Sequence, residues 1–184
     1  MKHLVGILVA LSWSGASAAV LPVCDRTPAV KAFIEKTVRK PCQEINEADL
    51  AAIKRVAVDR QGIQAFQAAD FTGMTNLEIL NIRSNPFTEL PEGLFKDLVH
   101  LKTLVIIDTP LRHYPDDYLA YNPEIVNLYT FRNQVRTLSE SVLSRIENAR
   151  NLKAMEFDSA IQDLEKDRLR HKFPVGGSIS LLFH

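Results

Sequence analysis

The feature that most restricts this chain is a period of 24 residues. From Leu77 it reads Leu77-x-x-Leu80-x-Ile82-x-x-Asn85-x-Phe87-x-x-Leu90-Pro91, followed by Phe95 and Leu98. The pattern returns as Leu101-x-x-Leu104-x-Ile106-x-x-Thr109-x-Leu111, and again as Ile125-x-x-Leu128-x-Thr130-x-x-Asn133-x-Val135. One period earlier stands Ile53-x-x-Val56-x-Val58-x-x-Gln61-x-Ile63, and a fifth copy, Leu152-x-x-Met155-x-Phe157-x-x-Ala160, follows after 27 residues. Self-similarity at a fixed period of this size marks a solenoid, in which each unit contributes one short supersecondary element. A lone unit buries too little apolar surface to offset the entropy lost in ordering it. Neighbours must therefore stack, and both ends need caps.

Within each unit the central alternation of apolar residues has the two-residue period of a strand. Alternate side chains point into the stack, and the rest of the unit returns Phe66, Phe71 and Met74, or Leu90, Phe95 and Leu98, to the same interior. The position of Asn85 faces a sharp turn, where an amide side chain satisfies backbone groups. Only Asn85 and Asn133 are asparagine there; Gln61, Thr109 and Ala160 occupy it elsewhere, which predicts looser turns toward the C-terminal end. The same register assigns the outward residues: Arg55, Ala57, Asp59; Ile79, Asn81, Arg83; Thr103, Val105, Ile107; Asn127, Tyr129, Phe131; Ala154, Glu156, Asp158. The first and last strands carry charged and small groups. The middle ones present Ile79, Val105, Ile107, Tyr129 and Phe131 as one apolar patch, with Asn81, Arg83 and Asn127 beside it. Apolar patches rimmed by polar residues mark interaction sites, and aromatic residues serve as anchors in them.

At the N-terminus Lys2 and His3 precede the apolar run Leu4–Leu11, and small residues lead to Ala16-Ser17-Ala18. A basic start, a short apolar core and an A-x-A site predict a secretory signal peptide over residues 1–18. The run is too short for a bilayer, which takes about 20 apolar residues. Removing those eighteen residues from 184 takes away Lys2 and no acidic residue, leaving 21 basic against 22 acidic side chains. That balance makes no electrostatic case for nucleic acid or an anionic membrane. Cys24 and Cys42 are the two cysteines of the chain. In an exported protein pairing is the default, and two free buried thiols are the alternative. Between them Thr27 stands as a helix cap before Pro28, with Val30, Phe33, Ile34 and Val38 on one face until Pro41 ends the run. At the other end the charge run Asp163–Arg170 reads as the polar face of a capping helix, and Ser178–Leu182 as a closing strand.

Residues 77–100 resemble the typical 24-residue leucine-rich repeat, including its Leu-Pro pair and later Phe. The stretches Cys24–Val30 and Asp49–Ile53, together with Cys42, resemble the N-terminal cap of exported bacterial leucine-rich repeat proteins, and Gly62–Leu77 resembles their first full repeat. The likeness runs over about residues 24–160 and departs where Asn122 replaces the Leu98 position and Thr130 the Ile106 position. It implies an α/β leucine-rich repeat solenoid, a short, curved, right-handed stack of about five repeats with a parallel concave sheet. The expected organisation is signal peptide 1–18, helical cap 19–52, repeats 53–160 and C-terminal cap 161–184.

No nucleophile elbow, phosphate loop, HExxH or CxxC occurs in the sequence. His100, His113, His171 and His184 show no metal-ligand spacing; His113 beside Asp116 and Asp117 reads as a solvated turn histidine. No catalytic residue, cofactor or metal is therefore expected. The expected function is a non-catalytic protein- or peptide-binding module of the periplasm or extracellular space, without a membrane span once the leader is removed. Partner contacts are assigned to Ile79, Asn81, Arg83, Val105, Ile107, Asn127, Tyr129 and Phe131. The alternatives are a glycan- or cell-wall-binding module, with Tyr129 and Phe131 stacked on sugar rings, and a self-associating envelope protein. Trp13, the single tryptophan, belongs to the expected leader. Exported protein should therefore emit as tyrosine alone near 300 nm, as about expected for a tryptophan-free chain; a tryptophan band in material of full mass contradicts cleavage.

Overall fold

A computed structural model describes residues 22–174 and 180–184. The expected leader lies outside the described residues, as do Ser178 and Ile179 of the expected closing strand. The elements are helix α1 (Pro28–Val38), helix α2 (Glu47–Ala51), strands β1 (Arg55–Ala57), β2 (Ile79–Asn81), β3 (Thr103–Val105) and β4 (Asn127–Thr130), helix α3 (Glu140–Glu147), β5 (Ala154–Phe157), helix α4 (Asp163–Lys172) and β6 (Ser180–Phe183). The six strands pair in chain order, β1 through β6, and each pair is parallel. Val56, Leu80, Leu104, Leu128 and Met155 stand in one register and are fully buried, so the repeat period is the sheet register.

Phe66, Phe71, Met74, Leu90, Phe95 and Leu98 return to the interior as the repeat pattern predicts. The turn after each strand rests on two linked devices. Arg60, Ser84, Asp108 and Arg132, one period apart, all adopt left-handed backbone with φ of 55°, 54°, 56° and 58°. None is glycine, so each conformation carries a steric cost of roughly 1 kcal/mol. The next residue offsets it. Asn85 Oδ1 accepts from Gln61 N and Ile63 N, while Asn85 Nδ2 donates to Val58 O and Ile82 O. Asn133 Oδ1 likewise accepts from the Thr109 backbone N and hydroxyl, and Asn133 N donates to Asp158 Oδ1 at 2.9 Å. The looser C-terminal turns expected from Ala160 are therefore corrected. Thr109 and Asp158 complete the ladder with a hydroxyl and a carboxylate.

The two repeat departures are filled by compensating contacts. Asn122 turns its amide to Phe95 O and Leu98 O, and the Thr130 hydroxyl donates to Glu156 O. Tyr114 and Tyr118, stacked at 4.4 Å, fill the volume beside them. The three extra residues of the fourth unit allow a regular helix on the convex side. Ser139 caps α3 by accepting from Val142 N, and Val142, Leu143 and Ile146 face the core. Arg168 of α4 forks onto both Glu140 and Glu147, tying the two helices together.

The N-terminal cap holds α1, and Cys24 and Cys42 are joined in a disulfide. Thr27 precedes α1 but does not cap it by its side chain, contrary to the sequence reading. Its hydroxyl and N–H both donate to the buried Asp70 carboxylate, at 2.7 and 2.8 Å, and Gln67 N donates to the same group. Beside it the buried Arg26 guanidinium donates to Asp70 O and Thr72 O, so the cap is sewn to the first repeat rather than resting on it. Desolvation lowers the Arg26 pKa, against the raising influence of Asp70 and Asp97.

Residues 84 and 85 should therefore respond oppositely to substitution. Asn85→Ala strands four backbone groups and should destabilise by about 3 kcal/mol. Ser84→Gly relieves the left-handed residue and should be neutral or stabilising by up to about 1 kcal/mol. Urea unfolding of both variants checks the pair; equal losses at 84 and 85 contradict the division of roles.

Candidate partner-binding surface

Pairing aligns the outward residues in rows. One row runs Arg55, Ile79, Thr103, Asn127, Ala154, Ser180, and the next runs Ala57, Asn81, Val105, Tyr129, Glu156, Leu182. Two residues further along lie Asp59, Arg83, Ile107, Phe131, Asp158 and His184. All eight residues assigned to partner contacts are half-buried, shielded in part by neighbours on both sides. Val105 on β3 and Tyr129 on β4, with Ile107 and Phe131 just beyond those strands, form the continuous apolar part of this surface.

The polar members are partly committed. Asn127 Nδ2 donates to Thr103 Oγ1 at 3.2 Å, and Asn81 Oδ1 accepts from Arg83 N. The guanidinium of Arg83 lies 3.9 Å from the Asp59 carboxylate, an ion pair at the rim. Along the strand entrances Glu78 accepts from Lys102 at 2.9 Å, with Lys54 at 3.7 Å. Hydrogen bonding to Lys102 holds the Glu78 pKa below its ordinary value.

Asp158 departs from the outward assignment. It is 5% exposed, because its carboxylate turns in to take the ladder position. Burial raises its pKa above 3.8, against the lowering influence of the Asn133 and Arg132 backbone N–H groups. Its vacated outward place is closed over by Phe131 and His184, whose rings stack at 4.3 Å with planes 27° apart. His184 Nε2 lies 3.1 Å from Glu156 Oε2, and the His184 backbone pairs with Phe157 and Ser159. His184 stands outside the eight assigned residues, although counting outward positions beyond Leu182 along the closing strand leads to it.

In the turn carrying His113 the two nearby carboxylates are engaged by other groups. His113 is exposed, Asp116 accepts from the hydroxyls of Ser139 and Ser141, and Asp117 accepts from Gly93 N. Hydrogen bonding to Ser139 and Ser141 lowers the Asp116 pKa. Among the described residues no group of three His, Cys, Asp or Glu is arranged to hold a metal ion, and no helix is long and apolar enough to cross a membrane.

Solved structures share this architecture. A leucine-rich repeat protein of Leptospira interrogans superposes with a TM-score of 0.60 at 24% identity, over 75% of this chain and 33% of that one. The fold is a leucine-rich repeat solenoid. An internalin from Listeria monocytogenes superposes with a TM-score of 0.54 at 16% identity, over 91% of this chain and 59% of its own. The leucine-rich repeat chain described here thus spans less than two thirds of either protein's length. No protein-family model matches the sequence, and no curated protein matches it.

The buried Asp158 carboxylate gives this surface a pH signature. Its folded pKa is raised, so its contribution to stability is full below the unfolded value and is lost as pH rises through the folded pKa. Asp49, Glu78, Asp116 and Glu140 are lowered and act with the opposite sign, losing stability as pH falls through their folded values. Asp158→Asn keeps an acceptor for Asn133 N without the charge. It should flatten the melting-temperature profile above pH ~4 and leave the more acidic limb in place; an unchanged profile contradicts the assignment.

Proposed function

We propose that this chain is a non-catalytic protein- or peptide-binding module that works in the periplasm or outside the cell and engages its partner through the concave face. The observation that carries this reading is the contiguous Val105, Ile107, Tyr129 and Phe131 surface, half-exposed on a sheet whose strands pair on both sides. A rigid strand surface presents such groups with little entropy left to lose on binding. Ion pairs at Asp59–Arg83 and Lys102–Glu78 give it a polar rim of the kind seen around binding patches. Tyr129 and Phe131 act as anchors, Ile79, Val105 and Ile107 as the apolar floor, and Asn81, Arg83 and Asn127 as orienting groups. Export is supported by the leader-like N-terminus and by the Cys24–Cys42 disulfide, since disulfides persist in oxidising compartments. The amides of Asn81 and Asn127 are turned to neighbouring groups, which leaves few polar partners for a sugar and favours a protein or peptide.

The test is affinity capture from envelope and culture fractions with wild type and Tyr129→Ala/Phe131→Ala, after their melting temperatures are shown to agree. A partner retained by wild type should fall at least about tenfold with the variant, as expected for two aromatic anchors. Equal retention by both proteins, or by neither, contradicts binding through this face.

A further inference from the structure

The stack of His184 on Phe131 shows what chemistry this end of the concave face accepts. The imidazole lies flat against the phenyl ring at 4.3 Å, and its Nε2 meets the Glu156 carboxylate at 3.1 Å. A planar nitrogen group is thus held between an aromatic face and an anion, within the chain itself. The His184 ring is 42% exposed, and its strand position is secured by backbone pairing with Phe157 and Ser159 rather than by the ring. The ring is therefore free to rotate off Phe131 without disturbing β6.

Charge on the face is unevenly placed. At its N-terminal end Arg83 is paired with Asp59. At the C-terminal end Glu156 lies 3.1 Å from His184, and the inturned Asp158 belongs to the same row as His184. Aromatic face, carboxylate and apolar approach from Tyr129 together fit one side chain better than imidazole. A guanidinium is planar, permanently charged, stacks on aromatic rings and forks onto carboxylates.

We propose that Phe131 and Glu156 form an arginine subsite of the concave face, occupied by His184 until a partner's arginine displaces it. This rests on the concave face being the binding surface, and it makes the partner a segment with an arginine set among apolar residues. The apolar neighbours lie over Val105, Ile107 and Tyr129, and the guanidinium takes the place of the imidazole. His184 acts as an internal competitor, so its removal strengthens binding.

The experiment uses the exported chain with labelled aromatic rings and Ile and Val methyls, titrated at neutral pH with acetyl-Leu-Arg-Leu-amide or its citrulline counterpart, a neutral isostere. Displacement moves the His184 ring signals out of the Phe131 ring current with the arginine peptide and not with citrulline. His184→Ala tightens the arginine peptide several-fold, and Glu156→Gln removes the difference between the peptides. Equal methyl shifts at Val105 and Ile107 with both peptides, with His184 unmoved, overturn the subsite and leave the face as a binding surface. Neither methyl nor ring shifts with either peptide overturns the subsite and the reading of the face beneath it.

Discussion

Everything in this molecule depends on the burial of each short strand by the strands beside it. The strands are three or four residues long, and their inward residues have no core of their own. Val56, Leu80, Leu104, Leu128 and Met155 become a continuous interior only when every unit stacks in one register. A slip of one residue would turn that interior outward and bury Tyr129 and Phe131 in its place. The ladder of Asn85, Asn133 and Asp158 guards against such a slip, because each side chain accepts from a backbone N–H of the preceding unit only at the correct register, and the Thr109 hydroxyl joins it by donating to Asn133.

The concave surface follows from that constraint. A parallel sheet with fixed register sets outward residues side by side, so isolated apolar residues 24 positions apart become one patch. The patch is strongest at β3 and β4 and the residues just after them, Val105 and Ile107 beside Tyr129 and Phe131. Both neighbouring regions carry charge, and the fold spends other residues in keeping it organised: Asp59 with Arg83 on one side, Glu156 with His184 on the other. The convex side serves support. There α3 and α4 are joined through Arg168, and the carboxylates near His113 satisfy turns.

Much of this was legible because the period names both the strands and the two faces of each strand. The inward residues and, Asp158 apart, the outward rows follow from spacing. The turns were less legible. Four left-handed residues that are arginine, serine or aspartate carry no glycine signal, since side-chain bonds from the following position support the conformation. Asp158 was misplaced because the 27-residue unit puts Ala160 in the ladder column, and only a structure reveals a carboxylate two positions earlier turning in to replace it. The Phe131–His184 stack depends on that inward turn, as the two rings sit two strands apart. Thr27 has the residue type and position of a helix cap, yet Asp70, 43 positions away, binds it instead.

The most direct test places a photo-crosslinking residue at single sites in the protein, at Val105 and Tyr129 on the concave face and at the exposed Val99 and Tyr121 on the convex side. Binding through the concave face predicts a discrete crosslinked species from Val105 and Tyr129, with none from the convex positions. The same species from Val99 or Tyr121, with Val105 and Tyr129 silent, would place the partner on the other side of the solenoid and contradict the account.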